Sequence, residues 1–404
     1  MTGSSRPDPS RLAVKLTLLM VMSLTMLTFA PLSPSLPEIH AHFADAANID
    51  YLSRFVLTVP AAFIAVTAPL AGIVIDRIGR KRLLLVSLLL YGIAGVSGIL
   101  ADTIGFLLAT RAIQGIAVGG TMASATALMG DYYTGRERQA FIGLRGAFIN
   151  YAGVFANIVG GLAAGFNWRA TFLLYAVAFV LFPVVVRVIF EPDRSPSRTP
   201  VPADSRTNGA ATPSRTPFGF LALAYGVTVL FSIGFFMVPV QMAFYLRELG
   251  NDVPAVAGIA MATSAFAVAT SSLAFAHLRV RFGPEPLMGL AFLVAGVGFL
   301  MVSQAPSVVY LLAALLVSGS GFGVLIANVL GWVFDRTPAA IRGRVSGGIA
   351  TATFAGQFLT PLVSQPVVNA YSVGASYAAV AGLLLLAAAG FAVFALSRRR
   401  RAAG

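Results

Sequence analysis

The chain has 404 residues, of which 57% are hydrophobic and 11% charged, and its formal net charge at pH 7 is +13. A soluble domain carries about a quarter charged residues, so this chain lacks the polar surface to cover itself, and lipid has to be its solvent. Cysteine is absent, which excludes disulfides, thiolate metal sites and thiol nucleophiles, and His40, His42 and His277 read as solvated loop or helix-end residues.

In lipid only helices or a closed barrel satisfy their own backbone, and apolar runs of roughly twenty residues without alternation select helices. Taken in chain order, the predicted spans are 12–36, 51–75, 83–101, 104–129, 141–166 and 171–190. After a polar interval they continue at 218–245, 253–276, 287–302, 308–332, 345–368 and 375–396. The first run is too long for a secretory signal and is followed by many more, so it is read as a span. Residues 191–217 are rich in proline, serine, threonine and arginine, the composition of a flexible solvated connector. The expected organisation is therefore an N-terminal six-helix bundle over 1–190, a linker over 191–217, and a C-terminal six-helix bundle with a basic tail over 218–404.

Most lysines and arginines fall on one predicted face, among them Lys15, Arg77, Arg80, Lys81, Arg82, Arg138, Arg145, Arg279, Arg281, Arg336, Arg342 and Arg398 to Arg401. Cytoplasmic loops retain such residues, so both termini are predicted to be cytoplasmic and the basic excess reflects topology rather than a nucleic-acid partner. Arg54, Arg111, Arg169 and Arg247 lie elsewhere. An offset of 204 residues superposes Gly79 on Gly283, Gly115 on Gly319, Gly119 on Gly323, Asp131 on Asp335, Arg138 on Arg342 and Gly143 on Gly347. Six helices repeated in one orientation describe two parallel halves facing each other across an axis normal to the membrane, with a path between them.

The loop between the second and third helices reads Gly72-Ile-Val-Ile-Asp76-Arg77-Ile-Gly79-Arg80-Lys81-Arg82. Gly72 permits a close backbone approach, Gly79 a tight reversal, and the basic run holds the loop on its side. Asp76 is placed to cap the positive end of a helix of the other half, that starting near Val345, and so to latch that face shut. In sequence and position this loop closely resembles the signature loop of the major facilitator superfamily.

The fourth helix carries Leu108-Ala-Thr-Arg111-Ala-Ile-Gln114-Gly115-Ile-Ala-Val-Gly119-Gly120, similar to a second motif of that family found in proton-coupled members. An arginine this deep costs about 2.5 to 3.5 kcal/mol on insertion scales and is expected to face protein or a water-filled cavity. Two readings of Arg111 stand side by side. In one it serves proton exchange, although the acidic partner usual on the first helix is missing and Glu38, at that helix's outer end, is the nearest proton carrier. In the other it satisfies the carbonyls of Leu27, Ala30 and Ser33, freed by Pro31, Pro34 and Pro37. The fifth helix partly resembles the glycine-proline motif of drug and proton antiporters. Gly143, Gly160 and Gly161 are in register, but Ala152, Ala156 and Asn157 replace two glycines and the proline.

Polar, aromatic or adaptable residues in seam-lining helices give the expected substrate cavity: Asn150, Tyr151, Asn157, Gln241, Tyr245, Asn328, Gln357, Met22, Met26 and Phe55. Enzymatic chemistry is not expected. Ser318-Gly-Ser320-Gly321 has no histidine at membrane depth to serve as base, and no GxxxxGK[ST] loop is present for nucleotide hydrolysis.

The resemblance implies an all-α membrane protein of twelve helices in two six-helix bundles, a monomeric secondary transporter without cofactor or metal. It is most like twelve-helix antiporters that export amphipathic compounds against protons across the bacterial inner membrane. An uncoupled or differently coupled carrier of a neutral or anionic metabolite drawn by Arg111, and a transporter-like ligand sensor, are the alternatives.

Overall fold

The computed structural model describes residues 12–192, 218–338 and 341–403. The expected connector, from residue 193 onward, lies outside the described residues. Each apolar run is helical. The first span comprises α1 (Leu12–Phe29) and α2 (Leu36–His42), joined by a 3-10 turn at Ser33–Ser35; Pro31, Pro34 and Pro37 each withhold an amide donor there, which breaks the regular helix without ending the crossing. The first half continues with α3 (Ile49–Ile78), α4 (Arg80–Val96), α5 (Ile104–Tyr132) and α6 (Gly135–Phe166). A 3-10 stretch (Trp168–Ala176) then leads into α7 (Val177–Val188). The second half comprises α8 (Phe218–Glu248), α9 (Pro254–Phe282), α10 (Pro284–Ser303), α11 (Val308–Phe334), α12 (Arg342–Ala370) and α13 (Val373–Ala403).

Eleven of these segments are long and apolar enough to cross a membrane. The twelfth, α12, has ample length at 29 residues, but its threonines, serines and glutamines lower its hydropathy. It packs against α3 of the other half as well as against α8, so protein rather than lipid surrounds much of it. Several helices overrun the predicted ends. Helix α6 begins at Gly135 instead of 141, because a helix leaving the bilayer keeps its backbone bonds while its side chains turn charged; Glu137 there pairs with Lys15 at 3.0 Å.

Buried side chains form two clusters. One gathers Leu18, Tyr91, Phe172 and Tyr175 of the first half and reaches across to Phe236, Val240 and Phe354. The other gathers Phe292, Phe299, Phe322, Trp332 and Tyr377 of the second.

The internal repeat is visible as repeated contacts. A Cβ on Gly115 would meet the backbone of Pro60 and one on Gly319 the backbone of Ser264; Gly119 faces Thr67 as Gly323 faces Ser271. Each pair is related by the same 204-residue offset, and in each the small residue lets two helices close on one another. The hydroxyls of Thr103 and Ser307 accept from the amides of Phe106 and Tyr310 at 3.2 and 3.3 Å, capping α5 and α11 alike. Gly79 and Gly283 turn the chain with φ of 95° and 74°, a conformation that only glycine adopts without strain. The halves therefore repeat in parallel and meet along α6 against α9 and α3 against α12.

Candidate transport pathway

Helices α3, α5, α6 and α12 diverge at the face bearing the basic loops and enclose a cavity of about 770 Å³ between the halves. Gly72, Asp76, Thr126, Arg138, Arg145 and Ser346 are among its lining residues. Asp76 is exposed and makes no hydrogen bond or ion pair among the described residues. The expected cap on the helix of the other half is thus not made in this conformation. Ser346, near the start of that helix, stands on the same cavity wall. Gly72 also departs from expectation: nothing lies within 4 Å of where its Cβ would be, so no backbone approaches it here.

The rest of the loop is anchored inside its own half. The amides of Arg80 and Lys81 donate to the Glu191 carboxylate at 2.8 and 2.7 Å, which caps α4 with a negative charge. Lys81 Nζ donates to the Val186 carbonyl at 2.8 Å, and Arg80 Nε lies 3.0 Å from Asp131. Arg77 is exposed at the end of α3. Glu191 escaped the sequence reading because it opens the polar connector, where an acid looks merely solvated.

Away from the basic face the halves are sealed together. A Cβ on Gly161 would stand 2.9 Å from the Pro254 carbonyl and 3.0 Å from Gly258 Cα, so α6 and α9 touch backbone to backbone. Gly160 packs just as closely on the Pro31 backbone of the first span. Arg54, 3% exposed, donates through Nε to Gln241 Oε1 at 3.0 Å and lies 3.9 Å over the Phe244 ring. Gln241 in turn donates to Ser364 Oγ at 2.9 Å. Glu38 pairs with Arg247 at 3.0 Å, Ser33 donates to the Pro239 carbonyl, and Phe55 stacks on Phe358 at 5.5 Å. Among the described residues, the bond between halves nearest the basic face runs from Thr351 to the Ala65 carbonyl at 3.4 Å, about midway along α3 and about a third of the way along α12. Among the described residues no hydrogen bond joins the halves at the basic face.

Arg111 is fully buried and faces protein, as so deep a charge demands, but the first-span carbonyls named for it are not its partners. Its guanidinium lies 4.7 and 5.2 Å from the rings of Tyr175 and Phe172, and Nη2 is 3.5 Å from the Gly95 carbonyl. The carbonyls it was expected to meet belong to the first span, but two tyrosine hydroxyls stand on that span instead. Tyr91 donates to Leu24 O at 3.2 Å and Tyr175 to Thr28 O at 3.1 Å. Aromatic faces stabilise such a cation by about 2 kcal/mol or more when desolvated. Gln114 is buried beside it, and Gly115 serves the helix contact already described. Arg111 has no exposed surface and does not line the cavity between the halves, so a metabolite cannot reach it in this conformation.

Several expected cavity residues are spoken for. Asn328 accepts from Arg279 at 3.3 Å and donates to the Pro284 carbonyl at 2.8 Å, tying three helices of the second half together. Tyr245 donates to the Val302 carbonyl at 2.7 Å, and Met22 is only 2% exposed in the first core. Gln241 is fully buried under the seal, Gln357 is buried in α12, and Asn157 is buried with its amide on the Gly153 carbonyl at 2.9 Å. Asn150 likewise turns to the Gly146 carbonyl at 2.9 Å. Met26 and Phe55 are half-buried, and Tyr151 is 43% exposed. Gly143 has nothing within 4 Å and is no packing residue. Two arginines that the sequence placed only by side carry more than topology. Arg54 sits one turn inside a helix whose predicted edge made it look interfacial, and Arg145 fell just inside a predicted boundary.

The profile of the Major Facilitator Superfamily matches residues 18–250 and 224–404. The chain belongs to this superfamily and is an integral membrane protein. It is 24% identical to the class D tetracycline resistance protein of Salmonella ordonez, over 85% of this chain and 86% of that one. It is 25% identical to the multidrug resistance protein MdtG of Salmonella paratyphi C, over 87% and 86%. A match at 31% to the efflux pump dotC of Dothistroma septosporum covers 33% of this chain and only 22% of that protein. Among solved structures, the D-xylose-proton symporter superposes with a TM-score of 0.76 at 17% identity, over 94% of this chain and 96% of the other. A bacterial homologue of the lysosomal transporter Spinster also gives 0.76 at 17%, over 97% of both.

Proposed function

We propose that the chain is a secondary exporter that moves small amphipathic compounds out of the bacterial cytoplasm, as a monomer, by rocking its two bundles about their seam against a flow of protons. The observation that carries this reading is the cavity between the halves at the basic face, with the opposite face sealed by Gly161 on Pro254, Arg54 on Gln241 and Glu38 on Arg247. Basic loops stay in the cytoplasm, so the cavity opens inward and both termini are cytoplasmic. Relatives matched over most of their length are named for drug resistance, which supports export. Cells producing the protein are expected to accumulate less of a test panel of amphipathic compounds than cells without it. A protonophore should abolish the difference; a difference that survives the protonophore would point to uncoupled movement.

Glu38 is the proposed proton carrier. One carboxylate oxygen holds Arg247 across the seam, and the other is buried with no partner. Protonation removes the charge that holds Arg247 and loosens the seal on the side from which protons enter. In proteoliposomes with an imposed pH gradient, Glu38→Gln should lower gradient-driven transport about tenfold, the equivalent of about 1.4 kcal/mol, while downhill exchange persists. Gradient-driven transport at the wild-type rate would remove Glu38 from this role.

Asp76 is proposed to act in the opposite conformation, once α12 closes on it. Asp76→Asn should leave melting of the inward-open protein within about 0.5 kcal/mol of wild type. Transport should fall about two- to fivefold, the range set by a helix-end charge interaction of about 0.3–1 kcal/mol. Wild-type flux in the same proteoliposomes would sink the latch.

A further inference from the structure

The cavity contains one deep charge. Arg145 stands ten residues beyond the start of α6, about 15 Å along the helix at about 1.5 Å per residue. It is half-buried and makes no hydrogen bond or ion pair among the described residues. The acids lining the same cavity do not neutralise it. Asp131 is held by Arg80 at 3.0 Å, and Asp76 lies at the mouth, two residues from the end of α3. Arg138, the other cation on the wall without an ion pair among the described residues, is exposed in the first turn of α6. Thr126 and Ser346 line the same cavity, their hydroxyls without a hydrogen bond among the described residues, while Met122, Ile64 and Phe354 supply apolar wall.

A cation drawn out of bulk water without a carboxylate is costly unless something anionic joins it. A guanidinium offers a planar fork of donors suited to a carboxylate, sulfonate or phosphate. We propose that Arg145 holds the anionic group of the transported compound, so that the substrates are amphipathic anions whose apolar body lies against Met122 and Phe354. Thr126 and Ser346 donate to the same group. The assignment names the substrate class for the export reading above and rests on it for direction.

The test uses full-length protein in phosphatidylcholine nanodiscs, titrated calorimetrically against empty nanodiscs. The probes are 8-anilino-1-naphthalenesulfonate and the neutral N-phenyl-1-naphthylamine, which share a skeleton and differ in the sulfonate. Wild type should bind the anion about tenfold more tightly than the neutral probe, as a charge-assisted contact demands. Arg145→Gln should erase that preference and leave neutral-probe binding unchanged, and Arg145→Lys should retain part of it. The proposal is overturned if Arg145→Gln binds the anion as wild type does, if it loses both probes alike, or if wild type binds neither. It is also overturned if phosphatidylglycerol in the nanodisc abolishes the anion site, since a lipid headgroup then occupies it. Flux of both probes in proteoliposomes separates the two readings: an Arg145-dependent anion preference without flux removes transport and keeps the site, and flux indifferent to Arg145 does the reverse.

Discussion

Gly161→Val is expected to lower transport about thirtyfold, the effect of roughly 2 kcal/mol of overpacking. Its Cβ alone would press on the Pro254 carbonyl at 2.9 Å and on Gly258 Cα at 3.0 Å, both backbone atoms that cannot swing aside. The penalty falls on the conformation in which α6 and α9 are in contact, so the population shifts toward opening at the sealed face. Spin labels on Ala47→Cys and Tyr371→Cys read this directly. Both residues are exposed at that face, one in each half, and the chain has no cysteine of its own. The label distance should lengthen in Gly161→Val. Gly143→Val, in the same helix with nothing within 4 Å, should change neither distance nor flux. An unchanged distance and wild-type flux in Gly161→Val would show that this contact does not govern the cycle.

Arg54→Met should open the same face by another route and reduce flux about tenfold. The replacement keeps much of the side-chain bulk but removes the bond to Gln241, the bond to the Asp50 carbonyl at 2.7 Å and the contact with Phe244. A hydrogen bond to a charged group contributes about 1.5–3 kcal/mol. Since Gln241 also reaches Ser364, the two residues act as one unit, and Gln241→Leu should have a similar effect. The double variant should be no worse than either single one, with a coupling of about 1.5 kcal/mol. Strict additivity in the flux and in the label distance would break the pair into two unrelated contacts.

The fold was legible because its signals are collective. Twelve long apolar runs and six glycine, aspartate and arginine matches at one offset each repeat the same statement, and a few residues of error at a helix end do not disturb it. The loop from Gly72 to Arg82 was legible in part. Gly79 takes the positive φ that the tight turn required, but Glu191 completes the turn from more than a hundred residues away, and no local pattern announces that. Individual polar residues in apolar helices were the least legible. Asn328 and Gln241 are equally suspicious in the sequence, yet one clamps helices within its bundle and the other bridges the two bundles. Only the packing distinguishes them. Arg111 shows the same limit: its depth demanded a partner, but a cation answered by aromatic faces and one carbonyl leaves no acidic partner to search for.

The 204-residue recurrence of glycine contacts gives replacements at Gly115 and Gly119 an internal twin. Enlarging Gly115 obstructs Pro60, and enlarging Gly319 obstructs the backbone of Ser264; the steric insult is equivalent, while the surroundings differ by Arg111 on one side and Leu315 on the other. Comparing such paired replacements cancels the generic penalty of crowding two helices. What remains is the division of labour between the bundles, read from one polypeptide in one membrane.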